Sequence, residues 1–291
     1  MRLATVVMPA ADESPAAAVI DGDQAVVLHR AEPTLPRSMV ALLAAWHQGA
    51  GDLTRGVVDS GRGRVGLADV RLRAPILRPP FIWGVAKNYP DHASELDSEV
   101  PSFPALFAKA PGAVIGPGDA ISIPVTEHQP FVDHEVELAV VIGRRCHGVT
   151  AAEAPSVVAG YTICNDVTER VWQKASTQMT LGKSFDTFAP MGPWLVTADE
   201  IDDPHRLRLS CQVNGETMQD ASTAEMIFDC WRLIEIITTA ATLEPGTVIT
   251  TGTPAGVGAA RGVALQPGDT VRCEVERIGV LENPIRALPS P

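Results

Sequence analysis

The sequence predicts an α+β protein dominated by β-strands, with a small N-terminal α/β domain ahead of a larger strand-rich domain. Before residue 78, short strand patterns alternate with one helical pattern, and after residue 80 most apolar segments have the length and residue types of strands. Between them, Leu77–Pro80 ends in two consecutive prolines, which interrupt regular structure. We therefore predict domains of residues 1–78 and 79–291.

The N-terminal domain is predicted to contain a strand over Ala25–Leu28 and a helix that begins after Ser38. Ser38 is a favourable N-cap residue, and Gly51 is expected just past the helix end. The residues expected on the apolar face of this helix are Met39, Leu42, Leu43 and Trp46.

Pro-Gly pairs precede three of the strands predicted in the larger domain. They are Pro117-Gly118 before 120–123, Pro245-Gly246 before 247–251, and Pro267-Gly268 before 270–276. Proline followed by glycine supplies the two central residues of a type II turn. In the last of these strands apolar and charged residues alternate, which predicts one buried and one solvated face.

Two helices are expected to interrupt these strands. Thr150 and Glu153 have the spacing of a capping box ahead of Val157. The segment Ala224–Ala241 carries isoleucine and tryptophan at helical spacing and ends before Pro245.

Composition excludes several classes of protein. The 291 residues carry a formal net charge of −12, which argues against a nucleic-acid or anionic-membrane surface. No run approaches the ~20 apolar residues of a membrane span. The five cysteines are odd in number and form no C-x-x-C pair, so neither a disulfide scaffold nor a thiolate zinc site is expected. The N-terminus has no long apolar segment typical of a signal peptide, which predicts a cytoplasmic protein.

The most informative local pattern is Glu135-Val136-Glu137, directly ahead of the apolar run Leu138–Gly143. Residues two apart in a strand face the same side, so the two carboxylates would repel unless a cation lies between them. A solvated strand end is the alternative. Asp166, at the end of a second apolar strand over Tyr161–Val167, adds a third carboxylate. Oxygen ligands without cysteine or histidine indicate Mg²⁺, Mn²⁺ or Ca²⁺.

Two further patterns place polar side chains together. Thr168 could cap a short helix that carries Arg170 and Gln173 on one face, although a surface helix is the alternative. His92 and Glu95 are three residues apart and could form a His–Glu dyad that acts as a general base on one helical turn. An isolated pair of this kind is, however, more often found on the surface.

Six motifs in register, together covering about residues 80–287, resemble the fumarylacetoacetate hydrolase family. They are Asn88-Tyr89-x-x-His92-x-x-Glu95, Phe107-x-Lys109, Glu135-x-Glu137-Leu138-Ala139, Asn165-Asp166-x-Thr168-x-Arg170-x-x-Gln173, Gly182-Lys183-Ser184-Phe185-Asp186, and Gly252-Thr253-Pro254-x-Gly256-Val257-Gly258. Pro90 and Trp172 depart from the family pattern. The first 75 residues resemble the variable small domain of the family and add little.

The resemblance implies a mixed β-sheet roll or sandwich as the catalytic domain, a bound Mg²⁺ or Mn²⁺, and a homodimer. It implies a small 2-oxo acid as substrate, with no nucleic-acid or membrane partner. Family members hydrolyse acylpyruvates, decarboxylate oxo-diacids, dehydrate sugar acids or isomerise dienoates.

The resemblance also implies a role for each matching residue. Glu135, Glu137 and Asp166 correspond to metal ligands; His92, Glu95 and Lys183 to catalytic groups; and Arg170, Gln173, Thr253 and Lys109 to substrate-binding positions. For Lys183 and Arg170, structural ion pairs with Asp186 or Glu169 are the alternative. A polar segment from about Asp91 to Ser102 is expected to act as a mobile lid.

The leading functional prediction is a metal-dependent hydrolase that cleaves a C–C bond in acylpyruvate-type 2,4-dioxo acids, in aromatic catabolism. The alternative is a decarboxylase, isomerase or dehydratase of a 2-oxo diacid or sugar acid. Both chemistries need the same enolate, so the sequence leaves the choice between them open.

Overall fold

The structure, a computed structural model, describes residues 1–8 and 12–288. Its strands in chain order are β1 (Arg2–Met8), β2 (Asp12–Asp21), β3 (Gln24–Val27), β4 (Arg64–Gly66), β5 (Arg71–Arg73), β6 (Ile82–Ala86), β7 (Ala105–Lys109), β8 (Val114–Ile115), β9 (Ile121–Ile123), β10 (Val132–Asp133), β11 (Val136–Ile142), β12 (Val158–Asn165), β13 (Thr168–Glu169), β14 (Ala189–Thr197), β15 (Arg208–Val213), β16 (Glu216–Ser222), β17 (Val248–Thr250), β18 (Thr270–Val275) and β19 (Gly279–Ala287).

The α-helices are short. They are α1 (Leu28–Ala31), α2 (Met39–Ala45), α3 (Ala50–Ser60), α4 (Pro90–Glu95), α5 (Arg170–Lys174), α6 (Cys230–Ala240) and α7 (Gly258–Arg261). Single 3₁₀ turns lie at Trp46–Gln48, Leu67–Asp69, Pro111–Ala113, Ala154–Val157, Ala198–Glu200 and Thr223–Glu225.

Within the described residues, the strands form two large sheets and one small one. The largest has the strand order β4-β3-β2-β1-β14-β12-β11-β17-β6-β7, with β5 paired to β1 and β8 paired to β14. A five-stranded sheet has the order β16-β15-β18-β19-β9, and β10 pairs with β13. Most pairs are antiparallel, but β17 with β6, β14 with β8 and β19 with β9 are parallel, so the sheets are mixed.

The core lies on both faces of β11, and all seven residues of this strand are buried. Leu138, Val140 and Ile142 belong to the apolar cluster that also contains residues of β15, β18, β19 and α6. Ala139 and Val141 belong to a second cluster with β1, β2, α2 and α3. A strand that is buried on both faces has apolar residues at consecutive positions, which explains the apolar run after Glu137.

The N-terminal strands are part of the largest sheet, because β1 pairs with β14 through Arg2 and Val196. Residues 74–81 are irregular, as Pro79 and Pro80 predict. The division into domains 1–78 and 79–291 stays a prediction, and the two segments share both a sheet and a core.

The three predicted Pro-Gly turns are confirmed. Gly118, Gly246 and Gly268 have φ values of +73°, +85° and +100°, as the third position of a type II turn requires. The strand predicted over Ala25–Leu28 corresponds to β3.

Helix boundaries were predicted less well. The helix after Ser38 ends at Ala45, and Gly51 lies inside the next helix, α3, because the chain turns at Gly49 in a left-handed conformation. The capping bond from Thr150 to Glu153 forms, with a backbone N to Oε2 distance of 3.1 Å, but it precedes only a 3₁₀ turn. The helix expected from Ala224 begins at Cys230, where the side chain of Asp229 accepts a bond from Arg232 N.

Candidate active site

The acidic cluster, defined as Glu135, Glu137 and Asp166, lies where β11 and β12 meet. The antiparallel pairing sets Val136 opposite Asn165, so Glu135 and Asp166 lie side by side at the ends of the two strands. Asp166 N donates to Glu135 O at 2.8 Å. One carboxylate oxygen from each residue lies within 4.8 Å of the others, and all three side chains are buried. The solvated strand end is therefore excluded for these residues.

Cationic side chains surround this cluster. Lys183 Nζ lies 2.6 Å from both Glu135 Oε2 and Asp166 Oδ2. Arg170 Nη1 lies 2.6 Å from Glu135 Oε1, and Lys109 Nζ lies 2.6 Å from Asp166 Oδ1. The alternative pairing of Lys183 and Arg170 with Asp186 or Glu169 is wrong, since both cations engage the acidic cluster.

The pKa values of Glu135 and Glu137 are shifted in opposite directions. Burial opposes ionisation of Glu135, but Lys183 and Arg170 outweigh it and hold its pKa well below the usual range. Glu137 lies farther from compensating charge: burial and then the carboxylates of Asp166 and Glu135 raise its pKa well above the ordinary value. Additional positive charge beside Glu137 would therefore favour its ionised form.

The donor set fits a hard divalent cation. Three converging carboxylates offer only oxygen, which Mg²⁺ and Mn²⁺ prefer, whereas zinc sites generally include sulfur or imidazole ligands. The acidic cluster and Asp133 together supply four carboxyl groups, and the cations in contact with them are Lys109, Arg170 and Lys183. A divalent ion would favour ionisation of Glu137, and with all four carboxyls ionised it would turn the negative balance of this group of residues positive and make the site attractive to an anionic substrate.

His92 and Glu95 form the predicted pair on α4. His92 Nδ1 lies 2.7 Å from Glu95 Oε1, and His92 is only 5% exposed, which excludes a surface pair. Since a carboxylate only accepts hydrogen bonds, Nδ1 carries the hydrogen, and Nε2 is left as a proton acceptor. Glu95 is held in turn by Gly256 N, which donates to its other oxygen at 2.8 Å.

A glycine loop over residues 252–258 supplies backbone donors to three acidic side chains. Gly252 N donates to Glu137 Oε2 at 2.8 Å, and Gly258 N donates to Asp133 Oδ1 at 2.7 Å. Gly256 has φ +106°, and a Cβ at this position would lie 2.0 Å from Met218 O, so no other residue fits. The loop therefore fixes the His92–Glu95 pair and the acidic cluster relative to each other.

One cavity of about 270 Å³ brings most of the predicted residues together. The residues that line it are Val85, Ala86, Lys87, His92, Leu96, Ser98, Glu135, Arg170, Gln173, Lys174, Met179, Lys183 and Thr253. The same cavity is thus lined by catalytic, substrate-binding and metal-ligand candidates from five separate segments.

Arg170 begins the short helix α5, but the cap of this helix differs from the expected one. The side chain of Glu169, and not that of Thr168, accepts the bond from Trp172 N at 2.7 Å. Thr168 Oγ1 instead donates to Asp166 O at 2.9 Å. Arg170 Nη1 donates to Gln173 Oε1 at 3.1 Å, so these two side chains face each other as predicted.

Asp133 is a site residue that sequence reasoning missed. It is fully buried, and Arg170 Nε and Nη2 lie 2.8 and 2.7 Å from Asp133 Oδ2. It orients the guanidinium that also contacts Glu135. The sequence feature that could have indicated it is its position two residues ahead of Glu135. An acidic residue just before a strand, however, ordinarily lies in a solvated turn.

Lys109 and Thr253 differ from the other substrate-binding candidates. Lys109 does not line the cavity among the described residues: its Nζ contacts Asp166, donates to Val167 O at 3.0 Å, and also contacts Lys183 O. Thr253 lines the cavity, but its hydroxyl donates to Val136 O at 2.9 Å and accepts from Gln219 Nε2 at 2.7 Å. This geometry favours a structural role for both side chains.

The family model described as fumarylacetoacetate (FAA) hydrolase C-terminal matches residues 81–286, which is most of the chain. The protein belongs to this family. Oxaloacetate tautomerase FAHD2A, mitochondrial, of Bos taurus is 42% identical over 271 residues, covering 91% of this chain and 85% of the relative.

Solved structures of the fumarylacetoacetate hydrolase family confirm the predicted fold. Maleylpyruvate hydrolase from Sphingobium sp. SYK-6, in complex with manganese(II) and pyruvate, has a TM-score of 0.82 at 28% identity, with 99% of this chain and 100% of that chain covered. A 5-carboxymethyl-2-hydroxymuconate delta-isomerase from Mycobacterium smegmatis has a TM-score of 0.78 at 37% identity, with both chains fully covered. The family thus includes hydrolases, isomerases and tautomerases.

Proposed function

We propose that this protein is a metal-dependent enzyme that interconverts the keto and enol forms of a small 2-oxo diacid of the oxaloacetate type. The observation that carries the proposal is the imidazole of His92, held by Glu95 at 2.7 Å, in a cavity that is also lined by Glu135 of the acidic cluster. The name of the Bos taurus relative supports this reaction, and the cavity volume of about 270 Å³ suits a small substrate.

We assign the metal to Glu135, Glu137 and Asp166, as Mg²⁺ or Mn²⁺. When bound, such an ion acts as a Lewis acid that polarises the 2-oxo group and makes the adjacent C–H more acidic. The manganese in the maleylpyruvate hydrolase structure supports this choice.

The residues of the chain would move the protons. His92 Nε2 accepts a proton from C3 of the oxo acid, and Glu95 stabilises the resulting imidazolium. Two of the three hydrogens of the Lys183 ammonium are directed to Glu135 and Asp166, which leaves the third for the 2-oxo oxygen. Lys183 stabilises the enolate oxygen by a hydrogen bond and keeps its proton, and His92 returns the proton taken from C3 to that oxygen. One C–H bond breaks, one O–H bond forms and His92 regains its neutral form, so the reaction is an isomerisation that consumes no water.

A second candidate is the hydrolysis of acylpyruvates to pyruvate and a carboxylic acid. It is favoured by the pyruvate bound in the structure of maleylpyruvate hydrolase. In that reaction His92 would remove a proton from water that attacks the distal carbonyl, and the same enolate would leave.

Product analysis separates the two candidates. The Mg²⁺-loaded protein is incubated with oxaloacetate and with a panel of acylpyruvates, and products are identified by mass spectrometry and by deuterium exchange at C3. We expect accelerated exchange of oxaloacetate without loss of carbon. Cleavage of acylpyruvates with no effect on oxaloacetate would instead support the hydrolase.

Location and assembly stay predictions. Among residues 1–8 and 12–288, none of the helices combines the length and apolar composition needed to cross a bilayer. The Bos taurus relative is named as a mitochondrial protein, so the cytoplasmic location rests on the sequence alone. The homodimer and the role in aromatic catabolism are likewise proposals.

A further inference from the structure

Lys87 has a backbone conformation that lysine rarely adopts. It follows the last residue of β6 and has φ +57°, in the left-handed region where glycine and asparagine are usual. Residues held in such conformations cluster at functional sites, where the surrounding structure enforces them.

Asn88 enforces the conformation of its neighbour. Its Nδ2 donates to Phe228 O at 2.9 Å and to Thr251 O at 2.7 Å, and its Oδ1 accepts from Phe228 N at 2.8 Å. Its backbone oxygen accepts from Ile227 N at 2.8 Å. With the next residue fixed by four bonds and fully buried, the backbone at Lys87 has little freedom to relax.

The side chain of Lys87 lines the cavity and is half-buried. The other cations at the centre of this site are already matched, since Lys183 and Arg170 lie 2.6 Å from Glu135. Within residues 1–8 and 12–288, no carboxylate forms an ion pair with Lys87. It therefore brings a positive charge to the cavity wall that a ligand can neutralise.

Lys174 is the natural comparison. It lines the same cavity from the last turn of α5, and it too has no ion pair in the described part of the chain. It is, however, exposed and in an ordinary helical conformation. An exposed ammonium keeps its hydration, so it gains less from a carboxylate than a half-buried one does.

We propose that Lys87 binds the distal carboxylate of the substrate and so selects 2-oxo diacids over 2-oxo monoacids. The substrate class rests on the function proposed above. A charge-assisted hydrogen bond from a partly desolvated ammonium to a carboxylate is among the stronger polar contacts available to the site. Lys87 lines the cavity while its backbone is held in this left-handed conformation.

The test compares two stable 2-hydroxy acids that differ only in the distal group, L-malate with a carboxylate and L-lactate without one. Dissociation constants are measured by titration calorimetry on the Mn²⁺-loaded protein. We expect malate to bind more tightly to the wild type, and Lys87→Met to reduce the malate-to-lactate affinity ratio by about 10-fold or more. Lys87→Arg should retain the preference.

Lys174→Met is the matched control, because it removes the same charge from the same cavity, and its ratio should stay within about 2-fold of the wild type. Lys87→Gly is a second variant that removes the charge and also suits the backbone conformation, so misfolding cannot explain its effect. An unchanged ratio in both Lys87 variants, an equal loss in Lys174→Met, or no preference in the wild type would overturn the proposal.

The binding measurement and the turnover measurement test the role of Lys87 and the proposed tautomerase activity separately. A protein whose malate preference depends on Lys87 but that leaves oxaloacetate unchanged would refute the tautomerase and retain the role of Lys87. If the protein tautomerises oxaloacetate but its malate-to-lactate affinity ratio does not depend on Lys87, the role of Lys87 is refuted and the tautomerase is retained.

Discussion

Among single residues, Glu137 differs from the other two members of the acidic cluster. Glu135 and Asp166 each have cationic partners at 2.6 Å, whereas the carboxylate of Glu137 accepts a bond from Gly252 N at 2.8 Å and forms no ion pair among residues 1–8 and 12–288. A carboxyl group whose pKa is raised by burial and by neighbouring carboxylates gains most when a divalent ion arrives.

Glu137→Gln should therefore weaken Mg²⁺ and Mn²⁺ binding strongly. Loss of even an indirect partner of a metal ligand costs about 10–100-fold in affinity, so loss of a ligand should cost at least that much. Calorimetric titration checks this, with Glu282→Gln on the exposed side of β19 as the control. Wild-type affinity in Glu137→Gln would remove this residue from the metal site.

Lys109 is buried and is not among the described residues that line the cavity, so its substitution is predicted to change stability and not substrate contact. Burial lowers its pKa, but Asp166 favours the charged form of the ammonium. Lys109→Met would leave one oxygen of Asp166 without its cation and Lys183 O without its donor.

Removing one partner of a buried pair costs about 3–5 kcal/mol, and we expect Lys109→Met to lower the free energy of unfolding by about that amount. Urea denaturation of the metal-free protein measures it, with the exposed Lys174→Met as the comparison. A change below about 0.5 kcal/mol would mean that the contacts of Lys109 are not maintained in solution.

At the scale of elements, α4 and the segment after it contain the residues predicted to act as a lid. The helix is anchored, since Tyr89, His92 and Ala93 are buried and Glu95 bonds to the glycine loop. The following residues have fewer contacts: Val100 is 55% exposed and Phe103 is 63% exposed. Leu96 and Ser98 nevertheless line the cavity, so movement here would open or close it.

Hydrogen exchange across residues 91–102 should slow when oxalate and Mg²⁺ are added together. We expect the change to be largest after Glu95, because the helix itself is held by the bond of Glu95 to Gly256 N. Mass spectrometry of peptic fragments measures this, and oxalate without metal is the control. Strong and equal protection in both states would exclude a lid.

The helices also show where local patterns were insufficient. Ser38 stands at the start of α2 as predicted, but its side chain makes no capping bond. The apolar face that begins after Ser38 ends at Trp46, so the sequence pattern does not predict the turn at Gly49 or the helix α3 beyond it. The Pro-Gly turns were predicted correctly because each depends on two adjacent residues and not on distant packing.

For the molecule as a whole, residue types and spacing predicted the acidic cluster, but not its surroundings. Two apolar strands that each end in carboxylates are visible in the sequence, and their pairing follows from the sheet. The contacts of Lys109 with Asp166 and of Arg170 with Asp133 join residues that are 57 and 37 positions apart, and no local pattern encodes them. The joining of β1 to β14 across the predicted domain boundary was missed for the same reason.

The central claim is that His92 and the acidic cluster act together on an enolisable 2-oxo acid. The most direct measurement is the rate at which the protein removes enol-oxaloacetate, followed by its ultraviolet absorbance. The variant His92→Ala is compared with the exposed control His147→Ala, and Mn²⁺ affinity is measured on the same samples. We predict that the wild type accelerates the reaction only with Mg²⁺ or Mn²⁺, and that His92→Ala lowers kcat by about 10²–10⁴-fold with metal affinity unchanged. Full activity in His92→Ala, or equal activity of the wild type after metal removal, would contradict it.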